Sequence, residues 1–172
     1  RLFGSETPIT ATASSGTAAL AGAILAHAGR SSGARRLCLC PGYTFVATAA
    51  AVEQCGYDLR FVDVDEKTWQ ADPDALLAHP ALAQVGLVVP VAAYGRPVPQ
   101  DPWRRFQAQT GSPVVIDGAA SSERVADNPE PYLGSVPVTL SFHATKVLAT
   151  GEGGAVVTTE PDLLRRSIQA MN

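Results

Sequence analysis

Short apolar runs alternate with helix-patterned segments along the whole chain, and that alternation limits the fold more than any other feature. Strands are predicted near Ile9–Thr12, Leu37–Cys40, Leu59–Val64, Gly86–Val91, Val114–Asp117, Val136–Ser141 and Ala155–Thr159. Helices are predicted between them, over Gly16–Ala28, Phe45–Gln54, Pro73–Ala78, Pro102–Gln109 and Pro161–Met171. Asp72-Pro73, Asp101-Pro102 and Glu160-Pro161 read as helix starts, because proline lacks an N–H that the first turn would leave unpaired anyway. Alternation of this kind builds an α/β fold in three layers, a mostly parallel seven-stranded sheet with helices on both faces. Runs such as Leu87-Val88-Val89 suit strands buried from both sides. Ser121–Ser135, which contains Asn128-Pro129-Glu130-Pro131, reads as one long irregular connection. No linker or repeat divides the chain, so a single unit over residues 1–172 is expected.

Composition excludes several classes of function. With 46% hydrophobic and 17% charged residues, the chain has the make-up of a globular domain and not of a disordered one. A net charge of −3, with basic residues only in isolated pairs such as Arg35-Arg36 and Arg104-Arg105, argues against nucleic-acid binding. No apolar run approaches the ~20 residues that span a bilayer. Cys38, Cys40 and Cys55 make no disulfide framework; the first two alternate on a buried strand, and a reduced, cytoplasmic compartment follows. The chain opens at Arg1 with no initiator Met or signal peptide and stops at Asn172 just after a helical pattern. It is therefore expected to be the inside of a longer protein.

In open α/β sheets, ligands bind beyond the carboxyl ends of the strands. Four segments there carry chemistry. Ser14-Ser15-Gly16-Thr17-Ala18-Ala19-Leu20 follows the first strand, and the N–H groups that open its helix suit a phosphate or a plain Ser/Thr cap. Gly42-Tyr43-Thr44-Phe45-Val46-Ala47-Thr48 follows the second and offers an aromatic ring, either for stacking or for the core. Asp117 follows three β-branched residues, where a carboxylate needs a cation: a protonated pyridine or a structural Arg would both serve. The last is Ser141-Phe142-His143-Ala144-Thr145-Lys146, followed by Gly151-Glu152-Gly153-Gly154. Only two of the 13 basic residues are lysines; Lys67 sits in an acidic turn, whereas Lys146 sits among apolar and small residues. A desolvated lysine loses basicity and becomes an amine nucleophile able to form a Schiff base. A Ser/Lys hydrolase would need a nucleophile elbow of the Gly-x-Ser-x-Gly type, which is missing, and His143 has no metal-ligand cluster around it. Phosphate cradle, stacking ring, carboxylate and amine are together the requirements of pyridoxal phosphate.

These motifs resemble the DegT/StrS family of sugar aminotransferases, in the fold type I class of pyridoxal-phosphate enzymes. Ser-Ser-Gly-Thr-Ala-Ala-Leu at 14–20, Pro-Gly-Tyr-Thr-Phe-Val-Ala-Thr at 41–48 and Ser-Phe-His-Ala-Thr-Lys at 141–146 carry the resemblance. The last continues into Gly-Glu-Gly-Gly-Ala-Val-Val-Thr at 151–158. The resemblance implies the cofactor-binding large domain, lacking an N-terminal segment and a C-terminal small domain. It implies Lys146 as the Schiff-base lysine and Ser141, with the backbone of Gly16, Thr17 and Ala18, as the phosphate site. Phe45 would stack on the cofactor, with Tyr43 in reserve, and Asp117 would pair with the pyridine nitrogen. Many members read Glu-Asp-Ala-Ala followed by Gln or His where this chain has Asp117-Gly118-Ala119-Ala120-Ser121, so a count from the lysine would put the family aspartate at Gly118. Asp117 keeps the Asp-x-Ala pattern, and the Gln/His role falls to Ser121 or to nothing. The implied reaction moves an amino group from glutamate to a nucleotide-linked keto sugar, in a homodimer. A dehydratase of the same family would carry His at the lysine position; a truncated, noncatalytic binding domain is the rival from another class.

Overall fold

Alternate residues of the central strands face two separate apolar cores, one on each side of the sheet. The structure is a computed structural model that describes residues 10–172; Ile9, the predicted start of the first strand, lies outside them. In chain order the elements are β1 (Thr10–Ala13), α1 (Gly16–His27), β2 (Leu37–Pro41), α2 (Val46–Gln54), β3 (Asp58–Val62), α3 (Pro73–Leu77) and β4 (Val85–Val88). They continue with α4 (Gln100–Thr110), β5 (Ile116–Asp117), α5 (Ser122–Asp127), β6 (Val138–Ser141), β7 (Gly154–Val157) and α6 (Pro161–Met171).

Hydrogen bonding orders the strands β1-β7-β6-β5 and β3-β2-β4. Parallel bridges Val88 to Val114 and Val91 to Asp117 join the two sets. The result is one seven-stranded surface in the order β1-β7-β6-β5-β4-β2-β3. Among the described strands only β7 runs against its neighbours, pairing antiparallel with both β1 and β6. The mostly parallel sheet expected from the alternation is therefore present.

Cys38 on β2, Leu87 on β4 and Val156 on β7 pack with Leu20 and Ile24 of α1 and Val52 of α2. The intervening Leu39, Val88 and Val157 face the opposite side, against Leu76 of α3, Trp103 and Phe106 of α4 and Val125 of α5. Period-two alternation on strands that are apolar on both faces thus produces the helix–sheet–helix sandwich. Trp103 and Phe106 are both buried, and each stabilises the second core by about 1.5–3 kcal/mol or more. The thiols of Cys38, Cys40 and Cys55 are free and buried. Burial pushes the Cys55 thiol up to about 11 and holds Cys38 well above the ordinary range.

Some predicted boundaries move for local reasons. Ser121–Ser135 is not one irregular connection: it contains α5 and a 3-10 turn at Glu130–Tyr132. Buried Val125 and Tyr132 anchor that segment, and the Tyr132 hydroxyl donates to the Gly95 carbonyl at 2.6 Å. The fourth helix starts at Gln100 and not at Pro102, because a proline anywhere in the first turn removes only an unpaired donor. The sixth strand begins at Val138; the backbone of Val136 is instead paired to the Gln100 side chain.

Candidate active site

At the carboxyl ends of β2, β4, β5 and β6 two cavities, of about 400 and 380 Å3, share Phe45, Thr48, Asp117, Ala119 and Lys146 in their walls. They come from three places in the chain, the junctions after β2 and β5 and the connection from β6 to β7, so residues far apart in sequence meet above one sheet edge. This is where an open parallel sheet leaves room for a ligand.

Ser15 caps α1, accepting from the Ala18 N–H at 3.1 Å. That bond occupies one of the three amides expected to hold a phosphate. Among the described residues, the N–H groups of Gly16 and Thr17 have no acceptor, and both residues line the second cavity with Ser141. Gly16 packs so tightly on β6 that a Cβ there would lie 2.6 Å from the Ser141 Cβ and 2.8 Å from its Oγ. Glycine at this position lets two open amides and a serine hydroxyl face the same space. Such a nest at the N-terminus of a twelve-residue helix suits an anion.

Asp117 is buried, at 7% exposure. Its Oδ2 accepts from the Thr48 hydroxyl at 2.6 Å and its Oδ1 from the Ala119 N–H at 2.9 Å. Thr48 is held in turn by the Thr44 hydroxyl at 2.7 Å. No side chain could replace Asp117 from position 118: a Cβ on Gly118 would lie 2.8 Å from Val138 Cγ1 and 2.9 Å from the Thr139 carbonyl oxygen. Burial, and then the nearby Asp117 carboxylate, push the Cys40 thiol up to about 12, which leaves Cys40 neutral.

Phe45 caps α2 with extended backbone and is 73% exposed, its ring in the walls of both cavities. Tyr43 lines only the first; its hydroxyl donates to the Tyr94 hydroxyl at 3.0 Å, which lifts Tyr43 above the ordinary tyrosine value. Lys146 is half-buried and lines both, its backbone N–H bonded to the His143 carbonyl at 2.8 Å. His143 Nδ1 shares a hydrogen with Thr145 Oγ1 at 2.9 Å, while Nε2 faces Glu152 at 3.4 Å.

The structure therefore brings Gly16, Thr17, Phe45, Asp117, Ser141 and Lys146 to the cavities and leaves Ala18 in the helix cap. Ser121, considered for the Gln/His role, is fully buried with an unpaired Oγ and is not in either cavity wall. The walls also hold residues that sequence patterning does not mark, Thr48 and Tyr94 among them. Thr48 stands four residues after Thr44, and that spacing of two hydroxyls is the available signal. Tyr94 gave none. It belongs to an exposed aromatic trio, with ring centroids 6.2 Å from Tyr43 and 5.7 Å from Trp69.

Residues 4–172 match the model of the DegT/DnrJ/EryC1/StrS aminotransferase family, and the chain belongs to that family. Aminotransferases of this family depend on pyridoxal phosphate. The chain is 33% identical to Protein Mb3436c of Mycobacterium bovis, over 94% of its own length and 40% of that protein's. It is 32% identical to the UDP-2-acetamido-2-deoxy-3-oxo-D-glucuronate aminotransferase of Pseudomonas aeruginosa, over 72% of this chain and 34% of the relative. Among solved structures it resembles DesI, crystallised in the presence of its TDP-sugar product, with a TM-score of 0.72 and 32% identity. That match covers 92% of this chain and 39% of DesI. The chain thus spans well under half the length of the proteins it matches.

Proposed function

We propose that this chain is the cofactor-binding large domain of an aminotransferase that passes an amino group from glutamate to a nucleotide-linked keto sugar. The observation that carries the proposal is the convergence of a lysine amine, a buried carboxylate, an aromatic ring and an anion nest on two cavities with shared walls. The residues present fit pyridoxal phosphate, since the close approach of Gly16 to Ser141 leaves two amides and a hydroxyl facing one space, as a phosphate requires. When bound, the cofactor supplies an electron sink for a carbon next to nitrogen.

The chain's own residues then have separate tasks. Gly16, Thr17 and Ser141 bind the phosphate, and Phe45 offers a ring face to the pyridine. Asp117, oriented by Thr48 and the Ala119 amide, holds a proton at the pyridine nitrogen. Lys146 Nζ is the amine for the cofactor's aldehyde and moves a proton at the substrate carbon. A lysine at position 146 favours transfer over the sugar dehydration of relatives with histidine there.

The nucleotide-linked acceptor is supported by the name of the Pseudomonas relative, a UDP-sugar aminotransferase, and by the TDP-sugar product of DesI. Val46, Val147 and Leu148, next in sequence to cavity residues, are 71%, 75% and 40% exposed. Apolar side chains placed there suit the covered face of a homodimer. The free, buried thiols suit a reducing, cytoplasmic compartment.

Reduction with borohydride after adding pyridoxal phosphate, followed by peptide mapping, tests the proposal. The label is expected on Lys146. Label on Lys67, or none in protein that demonstrably holds the cofactor, would overturn it.

A further inference from the structure

Resting on that reading of the acceptor, we propose that Tyr43, Trp69 and Tyr94, with Arg96 beside them, form the subsite for its nucleobase. Trp69 at φ 60° and Tyr94 at φ 50° are the two non-glycine residues with left-handed backbone among those described. Bulky aromatic side chains avoid that region, and such conformations persist where surrounding structure imposes them, most often at ligand sites. Here the two strained residues lie on different loops and their rings meet, 5.7 Å apart at 71°. Tyr43 closes the group, 6.3 Å from Trp69 and hydrogen-bonded to Tyr94.

The loops are tied to each other. Buried Gln70 donates through Nε2 to the carbonyls of Arg96 and Pro97 at 3.2 and 3.0 Å. Arg96 Nη1 returns a bond to the Lys67 carbonyl at 2.7 Å. Asp65 fixes the turn before Trp69 by accepting from the amides of Lys67 and Thr68. Despite this, the described residues leave the rings open to solvent: Tyr94 is 71% exposed, Tyr43 45% and Trp69 43%. Strained backbone held by cross-bonds to display exposed rings is a pre-formed stacking surface. Planar bases of any identity stack on such rings. The Arg96 guanidinium, 5.5 Å from the Trp69 ring centroid, adds a fixed positive charge suited to the diphosphate that follows the base. Tyr43 and Tyr94 share a cavity wall with Asp117 and Lys146. A base at the rings therefore directs the sugar toward the lysine.

The test titrates UDP, TDP and GDP into the intact protein, with inorganic pyrophosphate as the control. Tryptophan fluorescence is compared between the protein and its Trp69→Phe variant. A saturable quench by the nucleotides that disappears in Trp69→Phe is expected. Tyr94→Leu should weaken nucleotide affinity roughly tenfold or more while leaving pyrophosphate affinity unchanged. Tyr43→Leu, at a position without backbone strain, should act in the same direction. Pyrophosphate binding as tightly as the nucleotides would overturn the subsite. So would a quench that follows protein dilution and not nucleotide, since a second copy would then cover the rings. Borohydride label on Lys146 without nucleotide binding at the rings overturns the subsite alone. Nucleotide binding at the rings without that label supports the subsite and overturns the transfer reading.

Discussion

Replacing Gly16 with alanine should damage the phosphate cradle more than the fold. The new Cβ would sit 2.6 Å from Ser141 Cβ and 2.8 Å from Ser141 Oγ, while ordinary carbon contacts lie near 3.5–4.0 Å. About 1 Å must therefore open between α1 and β6. Overpacking of this size costs typically 1–3 kcal/mol, and the gain from replacing a helical glycine by alanine returns at most about 1 kcal/mol. A net loss of about 1–2 kcal/mol is expected in urea unfolding. The same displacement moves two open amides away from Ser141. Losing even one charge-assisted hydrogen bond to a phosphate, worth about 1.5–3 kcal/mol, weakens cofactor binding roughly 10- to 100-fold. Gly42→Ala is the control: it lies in the loop before Phe45, and a Cβ there meets nothing closer than 3.9 Å. It should change neither quantity by more than about 0.5 kcal/mol. Gly16→Ala protein that binds pyridoxal phosphate by absorbance titration as tightly as the parent would refute the cradle.

Asp117→Asn should keep cofactor but slow the half-reaction with glutamate by roughly 100-fold or more, because an amide cannot hold the ring nitrogen protonated. Thr48→Val, which removes the 2.6 Å bond to Asp117, should slow it about tenfold in stopped-flow measurements; equal rates would show that the carboxylate works unaided. His27 is held below its ordinary value by burial, with its bond to Gln107 opposing and Arg166 reinforcing the shift. The unfolded chain then takes up the proton first, near pH 6.5, so stability present at pH 7 is lost as pH falls through that value toward the folded one. Urea midpoints of His27→Gln should therefore fall less between pH 7 and pH 5 than those of the parent, and parallel curves would refute this.

Elements that follow from local pattern were legible in the chain, and those that follow from encounters were not. Leu87-Val88-Val89 announced two-sided burial because every residue had to find an apolar neighbour. Gly16, Asp117 and Lys146 were legible because each is a residue type that is costly or unusual where it stands. The helix α5 was not, since its six residues are too few to show a helical period and Val125 is buried only by tertiary packing. Whether a carboxylate belonged at 117 or 118 depended on Val138 and Thr139, twenty residues away in the chain, which fill the space beside Gly118. The aromatic trio depends on left-handed backbone at Trp69 and Tyr94, which tertiary hydrogen bonds impose and no local preference announces.

The reversed strand β7 governs when the described sheet can close. Thr10 of β1 finds its partner only at Val157, 147 residues later, and among the described strands β1 has no other neighbour. On a ribosome adding roughly 10 residues per second, the first strand waits more than about ten seconds with its backbone unpaired. Contacts of such sequence separation make folding slow and leave an edge open to wrong partners. Ser141, which faces Gly16 across the anion nest, emerges in the same late interval. The site thus cannot pre-assemble on a nascent chain, and cofactor added during synthesis should bind only after β6 and β7 have closed the sheet onto α1.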